Sequence, residues 1–259
     1  MTPIFDTHAH YDDEAFDEDR EELLAGLPER GIGKVVDVGA SLDSCKRVIE
    51  LMERYDHVYG TIGVHPNETG ELNEAHFAWL KEQCMREKCV AVGEIGLDYY
   101  WDEPDREIQK EWFARQLDLA RELSLPVVIH SREAAKDTLD MMTALRAGEI
   151  GGVMHCYSYT KEMAKLLLDM NFYFGIGGVL TFKNAKKLKE AVEYIPLDHM
   201  VLETDCPYLA PEPNRGKRNS SLNLPYVVTA LAEIKGISEE EVRAATWENA
   251  HALYRIKPI

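Results

Sequence analysis

Apolar and polar positions along this chain follow two alternating rhythms. Short runs rich in β-branched residues are separated by longer stretches with apolar residues at i, i+3, i+4 and i+7, the spacing of a helix buried on one face. The first strand begins at Ile4-Phe5 and turns polar after His10, at Tyr11-Asp12-Asp13. Phe16 to Glu29 reads as an acidic helix with Leu23, Leu24 and Leu27 on one face. Lys34 to Gly39 is the second strand, and Ser41 is placed to cap the helix carrying Val48, Leu51, Met52 and Tyr55. A third strand over Val58 to Val64, a helix near Glu74 to Glu87 and a fourth strand over Cys89 to Gly93 follow. After a helix from Asp105 to Leu123, the fifth strand, Pro126 to His130, is continuously apolar, which predicts burial on both faces.

The rhythm continues to the end. Arg132 to Arg146 predicts a helix, Gly152 to His155 the sixth strand, and Met163, Leu166, Leu167 and Met170 one helix face. Phe172 to Ile176, a helix over Lys183 to Tyr194, and Met200 to Glu203 complete eight strands. Eight strands alternating with helices predict an α/β fold, a TIM (β/α)8 barrel; a doubly wound open sheet is the alternative. No Gly/Ser linker or strong repeat interrupts the pattern, so one domain over residues 1–259 is expected. The longest predicted loop runs from Cys206 to Ser221, a helix follows from Leu224, and Ser238-Glu239-Glu240-Glu241 reads as a capping box.

Composition narrows the function. A net charge of −17 argues against coating long stretches of duplex DNA, which needs clustered Lys and Arg. It leaves room for an anionic substrate at a metal site, because the ions bring their own positive charge. The five cysteines are scattered and include no Cys-x-x-Cys pair, so reduced thiols are expected. No basic segment precedes an apolar core at the start, and no apolar run approaches the ~20 residues of a membrane span. A cytoplasmic protein with no membrane partner is the expectation; protein partners are left open.

The candidate chemistry falls on the strand ends. In Phe5-Asp6-Thr7-His8-Ala9-His10, alternation puts His8 and His10 on one face at the end of the first strand. Glu94 ends strand four, His130 strand five, His155 strand six, and Asp205 follows strand eight. In a barrel the carboxyl ends of the strands form one rim, where groups from several strands converge. Each residue alone has a bland reading, as a core histidine bonded to a carbonyl or a carboxylate capping a turn. Together on one rim they predict a metal site. Four histidines and two carboxylates exceed the usual set of one zinc, so two divalent ions (Zn, Mn or Mg) are expected. Glu94 would bridge them, with His8, His10 and Asp205 on one ion and His130 and His155 on the other. Such pairs, ~3.5–4 Å apart, suit phosphate-ester hydrolysis by an activated water. Asp205, with Glu94, would take the catalytic part by accepting or orienting that water's proton.

The same residues carry a resemblance. Phe5 to His10, Gly63-Val64-His65-Pro66, Gly93-Glu94-Ile95-Gly96-Leu97-Asp98-Tyr99, His130-Ser131-Arg132, His155-Cys156-Tyr157-Ser158, Leu202 to Leu209 and Arg215 to Asn219 together resemble the TatD-type metal-dependent deoxyribonucleases of the amidohydrolase superfamily. The likeness runs nearly the whole chain. It implies a TIM barrel, divalent-metal dependence and hydrolysis of DNA, with exonuclease behaviour and metal ligands at the six positions above. The chain departs from the family pattern after Asn219, where Ser220-Ser221 replaces an acidic residue and Pro.

Substrate contacts are expected from His65, Arg132, Tyr157, Arg215, Lys217 and Arg218: the basic groups for phosphates, Tyr157 (or Tyr99) for stacking on a base. His65 is open between a phosphate contact and a supporting role. Cys156 and Cys206 adjoin ligands but have no general base, so no cysteine nucleophile is expected. His57, His76, His199 and His251 are expected to be structural. The leading expectation is a deoxyribonuclease acting on DNA ends or single strands. The alternatives are a metallohydrolase of a small phosphoester, carboxylic ester or amide, and a scaffold with a dead site. The intact ligand set argues against the scaffold. Glutamate in place of lysine at the bridging position argues against a carboxylated-lysine enzyme.

Overall fold

The computed structural model describes residues 1–257. Eight parallel strands, β1 (Ile4–Ala9), β2 (Ile32–Val38), β3 (Val58–Ile62), β4 (Cys89–Asp98), β5 (Val127–Arg132), β6 (Gly152–Met154), β7 (Tyr173–Ile176) and β8 (Met200–Leu202), form one sheet in chain order. The helices between them are α1 (Arg20–Gly26), α2 (Leu42–Arg54), α3 (Glu74–Cys84), α4 (Arg106–Leu123), α5 (Ala135–Ala144), α6 (Lys161–Asp169) and α7 (Lys186–Tyr194), followed by α8 (Leu224–Lys235) and α9 (Glu239–Tyr254). The architecture is a TIM barrel, as the rhythm predicts, and not an open sheet.

Closure between β8 and β1 is irregular. The Asp205 N–H donates to the His8 carbonyl at 2.9 Å, the His10 N–H to the Cys206 carbonyl at 2.8 Å, and Thr7 Oγ1 to the Leu202 carbonyl at 3.0 Å. The seam is thus made by three of the predicted ligand residues and their neighbours.

Two apolar layers hold the barrel. Val35, Val48, Leu51 and Met52 belong to a large layer between strands and helices. The opposite strand faces contribute Phe5, Val36, Val90, Val128, Val153 and Val201 to a smaller cluster inside the barrel, joined by Ala250, Leu253 and Tyr254 of α9. Phe5 packs against Trp247, His251 and Tyr254 at ring separations of 5.8, 5.4 and 6.3 Å. Tyr254 donates its hydroxyl to the Thr7 carbonyl at 2.8 Å. The last helix therefore stoppers one mouth of the barrel with hydrocarbon and leaves the other for polar groups.

Local signals explain some helix starts. Ser41 Oγ accepts the Ser44 N–H at 3.1 Å and starts α2, and Ser238 with Glu241 forms the expected capping box on α9. Three expectations are corrected. The acidic helix is broken into a turn (Glu14–Phe16), α1 and a second turn (Pro28–Arg30). Arg20 there reaches back to the carbonyls of Tyr11 and Asp13, and Pro28 suits a helix start rather than a continuation. Strand four does not end at Gly93 but continues to Asp98, pairing Ile95 to Asp98 with Ile129 to Arg132. Gly96 permits this, with φ of +146° and a position where a Cβ would lie 1.9 Å from the His130 carbonyl oxygen. Leu166 faces outward, and Met163, Ala164 and Leu167 make the buried face of α6.

Truncating the ring that joins strand to stopper tests this packing. Phe5→Ala should cost ~3–5 kcal/mol, seen as a lowered urea midpoint at unchanged helix content. A loss below ~1 kcal/mol would show that α9 is not integral to the core.

Candidate metal centre

The six predicted ligands meet at the polar mouth. Glu94 lies at the centre, 3% exposed, and its two oxygens face different partners. Oε1 lies 2.8 Å from His130 Nδ1 and 3.4 Å from His155 Nε2. Oε2 lies 3.5 Å from His8 Nε2 and 3.8 Å from His10 Nε2. Asp205 Oδ1 is 3.4 Å from His10 Nε2 and 3.7 Å from His8 Nε2. The donor atoms of His8, His10 and Glu94 form one close group, and those of Glu94, His130 and His155 another. A further group, His8 with His155 and Asp205, crosses between these sets, and the His8 and His155 rings stack at 3.7 Å.

The outward nitrogens are held by the fold. His10 Nδ1 meets the Val38 carbonyl at 2.9 Å, which orients Nε2 towards Glu94 and Asp205. His130 Nε2 meets Asp98 Oδ2 at 3.1 Å, and His155 Nδ1 lies 3.4 Å from Glu203 Oε1. Carboxylate and carbonyl partners on the far side of an imidazole are the usual supports of metal-binding histidines. Gly175 makes room for Glu203, since a Cβ there would lie 2.0 Å from Glu203 Oε2. Asp205 and Cys156, each at the end of its strand, have φ of +56° and +45°, in the left-handed region that L-residues rarely adopt.

Charge is balanced within the cluster. Burial pushes the Glu94 carboxyl upward, but the His155 charge, then His130 and His8, hold it well below the usual range. Burial also opposes ionisation of Asp205, and hydrogen bonding to His10 with the charges of His155 and His8 outweighs it. Burial disfavours charge on His10, yet Asp205 and then Glu94 raise it to about 10; His155 is raised to about 9 against its burial by Glu94 and Glu203. His8 goes the other way, lowered by burial and by His155. The carboxylates are ionised, and His10, His130 and His155, all raised, carry the compensating positive charge. A buried cluster of anionic oxygens and imidazole nitrogens, with its supports on the outer side, fits divalent ions at its centre.

The substrate-contact expectations divide. His65 and Arg132 line the cleft above the cluster, which has a volume of about 1150 Å³. Burial, then the His130 charge, lowers His65 to about 3, so it is neutral; Nδ1 accepts the Asn67 N–H at 3.3 Å. Tyr157, Arg215, Lys217 and Arg218 do not line the cleft. Tyr157 is 2% exposed, packs edge-on against Phe174 and donates its hydroxyl to the Thr160 carbonyl. Arg218 makes paired hydrogen bonds to Asp19 and lies over Phe16. Arg215 covers the Phe182 ring, and Lys217 is exposed on the same loop. Tyr99 is also engaged, donating to Asp137 at 2.8 Å. Ser221, where the chain departs from the expected pattern, is buried and donates to Asp6 Oδ2 at 2.6 Å, beneath the β1/β8 seam.

Sequence reading missed Asp98, Glu203, Arg47 and Trp101. Period-two alternation from Glu94 reaches Asp98 and from Asp205 reaches Glu203, so that signal was present. Arg47 and Trp101 line the cleft from a helix and a loop, and nothing local marks them. His57 and His251 bond to the Leu24 and Trp247 carbonyls, as structural histidines do.

A family model described as TatD related DNase matches residues 5–255. The uncharacterized metal-dependent hydrolase YabD of Bacillus subtilis is 44% identical over 253 residues, spanning 98% of this chain and 99% of the relative. The uncharacterized metal-dependent hydrolase YcfH of Escherichia coli is 35% identical over 256 residues, spanning 98% and 96%. Among solved structures, the TatD homologue YjjV of Escherichia coli superposes with a TM-score of 0.91 at 29% identity, covering 98% of both chains. No helix among the described residues is long and apolar enough to cross a membrane.

Metal and protons compete for the same nitrogens. With His10 near 10 and His155 near 9, both carry protons at neutral pH in the ion-free protein. Mn²⁺ binding at pH 7.5 should therefore release protons, and apparent affinity should rise as pH approaches those values. Calorimetry in buffers of different ionisation enthalpy reads this directly. A binding enthalpy independent of buffer would contradict the charge balance described.

Proposed function

The chain belongs to the TatD-related DNase family, and from that premise we propose that it is a metal-dependent hydrolase that cleaves DNA phosphodiester bonds, acting on ends or single strands. One observation carries this reading: the oxygens of Glu94 are divided between His130 with His155 on one side and His8 with His10 on the other. That division suits a carboxylate bridging two divalent ions, with Asp205 completing the His8/His10 set. When bound, such ions supply Lewis acidity at the phosphoryl oxygen and lower the pKa of water towards neutrality.

The chain's own residues supply the remainder. Asp205 is ionised, partly exposed to the cleft and positioned on the rim, so it can accept a proton from an attacking water. Neutral His65, with Nδ1 already accepting from the backbone, has its other nitrogen free to donate to a phosphate oxygen. Arg132 and Arg47 offer charge at the cleft wall for flanking phosphates. Asp98 and Glu203 keep His130 and His155 in the orientation that faces Glu94.

The second reading, hydrolysis of a small phosphoester, is favoured by the same cleft. Its walls carry Asp12, Glu68 and Glu103 as well as two arginines, and the basic side chains of the loop expected to hold a phosphate backbone do not line it. A short stretch of strand, rather than a long duplex, is what such walls accommodate.

End-labelled single-stranded DNA incubated with Mn²⁺, Mg²⁺ or Zn²⁺ separates the readings. Metal-dependent shortening, abolished by chelator, is expected. Glu94→Ala should lower turnover roughly a hundredfold or more, whereas Arg218→Ala, which breaks only an outer ion pair, should change it by less than about threefold. Turnover of a generic phosphoester with intact DNA would move the assignment to the second reading. Shortening that survives both chelator and Glu94→Ala would overturn the metal mechanism.

A further inference from the structure

The turn after β4 presents two aromatic rings that the fold does not use. Tyr100 is 50% and Trp101 64% exposed, and their rings meet edge-to-face at 5.1 Å. The Arg132 guanidinium lies 3.8 Å over the Tyr100 ring. Trp101 and Arg132 line the same cleft as Glu94.

This turn is fastened to the catalytic cluster. Asp98 Oδ1 accepts the N–H groups of Tyr100 and Trp101 at 2.9 and 3.2 Å, while its other oxygen holds His130. Further along, Asn67 Nδ2 donates to the Glu103 carbonyl at 2.8 Å. One carboxylate thus sets both the metal-facing histidine and the aromatic turn, and fixes the distance between them. A large ring held at a cleft rim with most of its surface in water adds nothing to the core.

We propose that Trp101, steadied by Tyr100 and Arg132, is a stacking platform for one unpaired nucleobase of a strand whose phosphate occupies the metal centre. The inference rests on the nucleic-acid reading above and makes it more specific. The charge arrangement suits a nucleotide: an aromatic face for the base with a guanidinium beside it for a flanking phosphate. A base inside a duplex keeps both faces covered by its neighbours and cannot reach Trp101. The site therefore takes single strands or frayed ends. Tyr99 and Tyr157, the aromatic candidates from sequence, are excluded because each is packed and hydrogen-bonded elsewhere.

Binding to the metal-loaded protein tests the platform. The probes are fluorescently labelled phosphorothioate strands of equal length, one of thymidines and one of the same backbone without bases. Wild type should bind the thymidine strand about tenfold more tightly than the base-free strand. Trp101→Ala should abolish that preference, and Trp101→Phe should restore most of it, with melting temperatures unchanged because the ring is exposed. A preference that persists in Trp101→Ala would overturn the platform alone. A wild type that neither binds these strands nor cleaves the unmodified thymidine strand would overturn the nucleic-acid reading, and the platform with it.

Discussion

A carboxylate with almost no access to water holds this molecule's functional end together. Removing a charge from solvent costs several kcal/mol unless partners compensate it. For Glu94 those partners are imidazoles from β1, β5 and the end of β6, with Asp205 after β8 joining through His10. No open sheet brings the first and last strands together, so closure of the barrel and ionisation of the site are one requirement. The irregular seam between β8 and β1 meets it, since its backbone hydrogen bonds are made by His8, His10 and Asp205 themselves.

The barrel interior is divided accordingly. Valines and Phe5, stoppered by α9, form an apolar floor that stabilises the sheet without involving the chemistry. Above it the groups are less well satisfied. His8 Nδ1 and Glu203 Oε2 are buried without hydrogen-bond partners, His155 Nδ1 has only the charge of Glu203 at 3.4 Å, and Asp205 and Cys156 take left-handed backbone conformations. Strain and unsatisfied polarity at this mouth are expected where structure serves a ligand rather than stability. The floor offsets what the mouth costs.

Much of this was legible in the sequence, for physical reasons that also mark the limits. Strands and helices were readable because burial on one or two faces imposes a period, and the six candidate ligands because each closes a strand. The extension of β4 was hidden by Gly93 and Gly96, which read as punctuation but here permit close approach to β5. Asp98 and its turn were lost with it. The basic loop misled because charge alone does not reveal a partner: Arg218 is spent on Asp19, 199 positions away. Tyr157 likewise follows His155 closely in sequence yet points into the core, and Trp101 shows its exposure only in three dimensions.

The family likeness and the geometry agree on a metal-dependent hydrolase, and the mechanism proposed for it turns on whether Glu94 serves two ions. Anomalous diffraction from crystals soaked in Mn²⁺ addresses that question directly. Two peaks ~3.5–4 Å apart are expected, one beside Glu94 Oε1 with His130 and His155, the other beside Oε2 with His8, His10 and Asp205. A single peak, or peaks that leave Glu94 without a metal contact, would contradict the bridging carboxylate and the two-ion hydrolysis built on it.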